Sequence, residues 1–248
     1  MALLEELKRQ GDFLFRYRSY LPLLLLVAAV WVQVYQERFD VVAREALISE
    51  WVEGISLVVG LVGLSIRVLT VGYAPANTSG RNTGQGQVAE VLNTTGLYSV
   101  VRNPLYVGNY FMWASVAMMT GSIGFVIVFS LAFWIYYERI VFAEEAFLRG
   151  KFGSRYLAWA RLTPAFVPRF DRYRAPQRRF RWRKVIKQEK NGAVALLALY
   201  CLFGLIGDLA EGELSFEEER YSIGAAYTGA VVYLVVKWLK KHTTVLVD

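Results

Sequence analysis

RNPLYVGNYFMWASVAMMTGSIGFVIVFSLAFWIYYERIVFAEE, residues 102–145, decides the architecture. Two apolar runs, near 104–120 and 122–143, are separated only by Thr120, Gly121 and Ser122. Each run approaches the roughly 20 residues that a helix needs to cross a bilayer. Three residues are too few to carry the chain far from the membrane between them. The stretch therefore predicts a tight antiparallel helical hairpin, with Pro104 and Glu144 at the same membrane face. Proline suits the start of a helix, because its missing N–H would have no partner in the first turn.

Four more apolar segments lie outward from the hairpin, near 20–36, 48–72, 193–209 and 222–239. The expected fold class is therefore all-α integral membrane, with about six transmembrane helices, the hairpin being spans three and four. The 248 residues are 55% hydrophobic yet carry a net charge of +7, a combination that argues for one membrane domain rather than a soluble one. Half of the 28 Lys and Arg residues fall between Glu144 and Gly192, whereas DLAEGELSFEEERY, residues 208–221, is strongly acidic. The positive-inside rule then places 144–192, the 73–103 link and both termini in the cytosol. The expected location is a multi-pass protein of a prokaryotic plasma (inner) membrane. Glu5, Glu6, Lys8, Arg9, Arg16 and Arg18 precede the first apolar run and no small-x-small site follows it, so that run reads as a retained span, not a signal peptide. Leu3, Leu4, Leu7, Phe13 and Phe15 fit either a short interfacial helix or a solvated tail.

The expected units are an N-terminal segment 1–19, a core 20–170, a basic cytosolic linker 171–192 and an additional two-helix membrane segment 193–248. The linker contains RYRAPQRRFRWRKVIKQEK, residues 172–190. Beside membrane spans, such interleaved arginine and aromatic residues imply anionic membrane lipids as partners, and no nucleic acid. NTSGRNTGQG, residues 77–86, reads as a flexible loop, and its GxG follows no predicted strand. A single cysteine, Cys201, and a single histidine, His242, remove disulfide frameworks, His-triad catalysis and multi-histidine metal sites. The expected metal complement is none.

Chemistry concentrates at the two cytosolic ends of the hairpin. A helix over 122–150 would be about 43 Å long against a hydrocarbon core of about 30 Å, so Glu144 and Glu145 would emerge at the rim. Adjacent helical side chains point about 100° apart, so the two carboxylates cannot both reach Arg149. Either one faces a cationic ligand, or Glu145 pairs with Arg149 and Glu144 is solvated. At the other end, first-turn amides and Arg102 favour an anion. Arg67, at the cytosolic end of span two, either snorkels or touches a ligand.

TTGLYSVVRNPLYVG, residues 94–108, and EEAFLRGKFGSRYLAWARLTP, residues 144–164, resemble the paired motifs of the isoprenylcysteine carboxyl methyltransferase family and the related phospholipid N-methyltransferases. The resemblance covers about 95–170. It implies methyl transfer from S-adenosylmethionine to a lipid or lipid-linked substrate. Arg102, Pro104, Tyr106 and Gly108, with Asn103 among them, then fall on the family's first cofactor-binding segment, and Glu144 and Glu145 on its acidic pair; Arg102, a guanidinium beside the start of span three, is also the catalytic candidate that would hold an anionic acceptor. Asn103 stands where many members have histidine, and the absent imidazole favours an anionic oxygen acceptor, carboxylate or phosphate, that needs no base. Taken singly, Gly108 also fits close helix packing, Tyr106 an interfacial aromatic, and Phe152, Gly153 and Tyr156 a helix stop. Phospholipid amine methylation, an NADPH-dependent membrane reductase and a non-enzymatic scaffold are the competing readings. The sequence leaves oligomeric state open.

The orientation is testable by cysteine labelling after Cys201 is replaced. Ser215→Cys is expected to react from outside, and Gln177→Cys only after permeabilisation; the reverse pattern would invert the topology.

Overall fold

A computed structural model describes residues 2–18, 20–39, 46–75, 82–83, 86–87, 89–211 and 220–243. Among these residues seven α-helices follow one another: α1 (Leu3–Tyr17), α2 (Leu21–Arg38), α3 (Ala46–Tyr73), α4 (Pro104–Met119), α5 (Ile123–Ala160), α6 (Trp182–Glu211) and α7 (Arg220–His242). Asn82–Thr83 and Gly86–Gln87 form a two-residue antiparallel strand pair. The rest of the expected 77–86 loop, and most of the acidic link before α7, lie outside the described residues.

All six apolar segments are helical, but they are not equal as membrane spans. Among the described residues, three stretches are long and apolar enough to cross a bilayer: Trp51–Tyr73, Ile123–Ala160 and Trp182–Leu209. A fourth is counted if Leu3–Tyr17 and Pro22–Gln36, which meet at 74°, act as one bent span. The 16 residues of α4 make about 24 Å at 1.5 Å per residue, short of a core of about 30 Å.

The hairpin forms as its turn chemistry requires. Thr120 is fully buried and donates its hydroxyl to the Ala117 carbonyl at 2.7 Å. Gly121 adopts φ 65°, a left-handed conformation that favours glycine. Ser122 then caps α5, its Oγ accepting from the Phe125 N–H at 3.2 Å. Gln36 of α2 donates to the Thr120 carbonyl at 2.8 Å, which closes the turn from the side. Within the hairpin Tyr110, Phe129, Phe133 and Tyr137 form a chain of ring contacts, an aromatic core that also buries Phe15 of α1.

The N-terminal segment is a helix laid across α5. Gly11 permits the crossing, since a Cβ there would sit 2.2 Å from the Arg139 carbonyl oxygen. Arg139 donates to Gln10 Oε1 at 3.0 Å, and the Tyr136 hydroxyl donates to the Leu14 carbonyl at 3.2 Å.

A closer crossing joins α3 to α4. A Cβ on Gly63 would lie 2.6 Å from the Gly108 carbonyl oxygen and 2.7 Å from the Met112 nitrogen, both backbone atoms. Small residues let helix backbones approach in this way. On the far side of α3, part of the basic segment 171–192 packs against the helix end. The Phe180 ring covers Gly72, Arg181 N–H donates to the Gly72 carbonyl at 3.0 Å, and Lys184 Nζ donates to the carbonyls of Ala74 and Pro75 at 2.8 and 3.0 Å. Residues 182–192 are already the first turns of α6.

The crossing makes a direct prediction. Gly63→Ala must push backbone apart and is expected to lower stability by about 1–3 kcal/mol. Gly54→Ala, on the same helix with nothing near its added Cβ, should be neutral or stabilising by up to about 1 kcal/mol. Thermal unfolding of the two variants in detergent checks the difference.

Candidate active site

The two motif segments are stitched together by main chain. Gly96, at φ 62°, opens a short 3-10 turn, Gly96–Ser99. Its N–H donates to the Arg174 carbonyl at 2.9 Å, the Arg169 N–H donates to the Val100 carbonyl at 2.9 Å, and the Arg102 N–H donates to the Pro164 carbonyl at 2.8 Å. Trp159 Nε1 adds a bond to the Tyr98 carbonyl at 3.1 Å. The strip 96–102 and the strip 159–174 thus run beside each other at the rim of the hairpin.

A break in α5 allows this. Gly153 takes φ 53° and ψ −127°, which turns the final part of the helix, through Ala160, back over the rim. Tyr156 beyond the break is 1% exposed and packs against Trp159, with ring centres 5.6 Å apart.

Arg102 is the junction. Its Nε donates to Glu145 Oε1 at 2.8 Å, and its Nη1 donates to the carbonyls of Ala160 and Thr163 at 2.8 and 2.9 Å. Both partners of the ion pair are largely buried, 18% and 21% exposed. The partner of Glu145 is therefore Arg102, not Arg149, which is exposed. With Glu145 turned to Arg102, its neighbour Glu144 lies beside the Tyr106 hydroxyl, within electrostatic reach of Arg18 from α1. That hydroxyl is buried, and among the described residues nothing closes on it at hydrogen-bond distance.

Pro104 occupies the first turn of α4 and is fully buried. Asn103 precedes it, but its side chain does not cap the helix; Nδ2 donates to the Ala165 carbonyl at 3.1 Å. The Tyr106 and Val107 amides both bond to the Asn103 carbonyl, at 3.0 and 3.1 Å, so the Tyr106 N–H, expected to be free for a ligand, is taken up within the first turn itself. The structure thus gathers Arg102, Asn103, Pro104, Tyr106, Glu144 and Glu145 at one rim. Gly108 lies one turn deeper, at the crossing with α3, in the packing position that its type alone also suggested.

Sequence reasoning missed a second polar group just beneath. Arg67 binds Glu189 of α6 through two parallel bonds, 2.7 and 2.9 Å. Its Nη1 donates to Asn109 Oδ1 on α4, and Asn109 Nδ2 donates to the Tyr137 hydroxyl on α5 at 3.3 Å. Arg67 itself stood out in the sequence; the signal for its partner is an acidic residue, Glu189, shortly before the apolar run at 193–209, where charge needs a partner. To the side, an open groove of about 780 Å³ between α1, α2 and α5 is walled by Phe13, Leu14, Leu25, Ala132 and Ile135, with Arg9 and Arg139 at its edge.

An acidic side chain facing a buried hydroxyl, beside a guanidinium, offers opposite charges within one rim and suits a ligand carrying both signs. The pattern that defines the phospholipid methyltransferase family matches residues 55–155, from within α3 to just past the Gly153 break. The cobalt-zinc-cadmium resistance protein CzcN of Cupriavidus metallidurans is 34% identical over 124 residues, 50% of this chain and 54% of that protein. The nickel-cobalt-cadmium resistance protein NccN of Alcaligenes xylosoxydans xylosoxydans is 32% identical over 125 residues, covering 50% and 55%. The protein-S-isoprenylcysteine O-methyltransferase of Schizosaccharomyces pombe is 35% identical over 79 residues, covering 32% and 33%. The chain spans about half the length of the first two relatives. No solved structure gives a significant match. Over residues 55–155, motifs, hairpin and matches together make this chain similar to the phospholipid methyltransferases and the isoprenylcysteine carboxyl methyltransferases.

Proposed function

We propose that the chain transfers a methyl group from S-adenosylmethionine to a lipid or lipid-linked acceptor, an anionic carboxylate or phosphate oxygen, at the cytosolic face of the membrane. The observation that carries this reading is the Arg102–Glu145 bond. It joins the two motifs and leaves Glu144 turned toward the buried Tyr106 hydroxyl. S-adenosylmethionine supplies a methyl group on a cationic sulfonium, and attack by an anionic oxygen breaks the carbon–sulfur bond with no proton to remove.

The protein's part is to align the reacting groups and exclude water. Glu144 opposes the donor's positive charge, and Tyr106 supplies a hydroxyl beside it. The Arg102 N–H and the Asn103 side chain tie the start of α4 to the carbonyls of Pro164 and Ala165. Glu145 is held by Arg102, whose remaining nitrogen, Nη2, makes no hydrogen bond among the described residues; that edge is available to an anionic acceptor. The apolar groove between α1, α2 and α5, with its two arginines, supports a lipidic acceptor reaching the rim from the bilayer. Its wall residue Tyr136 adjoins Tyr137, whose ring lies 4.6 Å from that of Tyr106. Two relatives are named for metal resistance, but the described residues hold no group of three or more His, Cys, Asp or Glu able to share an ion.

Titration of the purified chain with S-adenosylhomocysteine and, separately, NADPH tests the reading: binding of the first and not the second is expected, and the reverse would indicate a reductase. Mass spectrometry of membrane lipids with and without the active protein identifies the acceptor. Glu144→Gln removes a charge-assisted contact of about 1.5–3 kcal/mol and should weaken S-adenosylmethionine binding by about 10- to 150-fold. Glu145→Gln should weaken it too and also lower thermal stability, since Arg102 loses its partner. Wild-type affinity in both variants would sink the assignment.

Arg102→Lys keeps a cation for Glu145 but cannot serve Ala160, Thr163 and an acceptor at once. Methyl incorporation into lipid is expected to fall at least tenfold, about 1.4 kcal/mol, while donor affinity changes by less than about threefold.

A further inference from the structure

We infer that Glu189 of α6, outside the family-matching segment, is a positioning residue for the proposed methyl-transfer site, acting through Arg67, Asn109 and Tyr137. The inference rests on the proposed function in one respect: the site it positions is the rim at Tyr106 and Glu144.

The four side chains form a directional relay across four helices. Glu189 is 4% exposed and, as a carboxylate, can only accept; Arg67, 22% exposed, can only donate. Two bonds of 2.7 and 2.9 Å fix the guanidinium plane. The remaining edge of that plane faces Asn109, which must present its carbonyl oxygen. Its amide nitrogen is thereby left to donate to the Tyr137 hydroxyl at 3.3 Å. Tyr137 in turn packs its ring 4.6 Å from Tyr106, whose hydroxyl lies beside Glu144. The orientation of one amide is therefore set by a carboxylate on another helix.

The backbone is arranged to let this relay pass. A Cβ on Gly108 would lie 2.6 Å from Arg67 Cγ, so the glycine of the RNPLYVG segment makes room for the arginine stem. Gly192, one turn beyond Glu189, faces Met112 of α4, which brings α6 against the same helix. Without Glu189, Arg67 would keep its charge but lose the groups that fix its plane, and Asn109 would no longer have a single preferred orientation.

The test uses the full chain in lipid nanodiscs, with S-adenosylhomocysteine as the probe. Glu189→Gln is expected to weaken its binding at least about tenfold, through loss of the bidentate charged contact. Glu189→Asp, which restores the charge, should recover most of that loss. Hydrogen exchange should quicken in residues 104–110 of α4 in Glu189→Gln, with α7 unchanged. Wild-type binding together with unchanged exchange in 104–110 would overturn the inference. So would exchange that rises equally in α4 and α7, the mark of a merely global loss of stability. If the wild-type chain binds no S-adenosylhomocysteine, the methyltransferase reading fails, and the exchange comparison alone then decides the role of Glu189.

Discussion

A guanidinium enclosed by helices must be neutralised where it stands, and Arg67 imposes that condition on everything around it. Removing one partner from a buried pair typically costs about 3–5 kcal/mol, a large share of the roughly 5–15 kcal/mol that holds a protein folded. Glu189 meets the demand, but only if α6 lies against α3 with its first turns at the depth of Arg67. The contacts of Phe180, Arg181 and Lys184 with the end of α3 set that depth. Gly63 and Gly108 meet the complementary demand, bringing α4 close enough for Asn109 to take the last edge of the guanidinium. The C-terminal helices are thus bound into the same polar network as the segment that matches the family.

The rim above follows a similar logic with different parts. Arg102 gathers a carboxylate from α5 and two carbonyls from the returning chain, and three main-chain bonds align the strips on either side. One acid is consumed in holding the architecture, and its neighbour about 100° away is turned to a different face. An adjacent pair of glutamates is a compact way to obtain both results from one helix.

Much of this was legible in the sequence because it is local. The three-residue turn, the proline at the start of α4 and the apolar runs each act within a few residues, and the helices appear where they predict them. What the runs did not convey is which helices cross the bilayer, since α4 is apolar but short. Spacing along a helix reveals only neighbours on that helix, so the sequence offers Arg149 or a ligand as the partner of Glu145. Arg102 enters only once Gly153 has turned the chain back. Arg67 and Glu189 are separated by 122 positions, and Glu189 sits within a basic run whose net charge conceals it.

The continuous helix between the Ser122 cap and Glu145 also works as a ruler. One residue added or removed anywhere along it would swing Glu145 by about 100° and shift it by about 1.5 Å. The carboxylate would then miss Arg102, and Glu144 would leave Tyr106. Inserting about seven residues, two turns, restores the angle but raises the acids by about 10 Å, beyond the reach of either partner. At the exposed apolar positions of this arm, such as Ile127, Val128 and Leu131, substitution is tolerated while apolar character is kept, whereas a change of length anywhere along it is not.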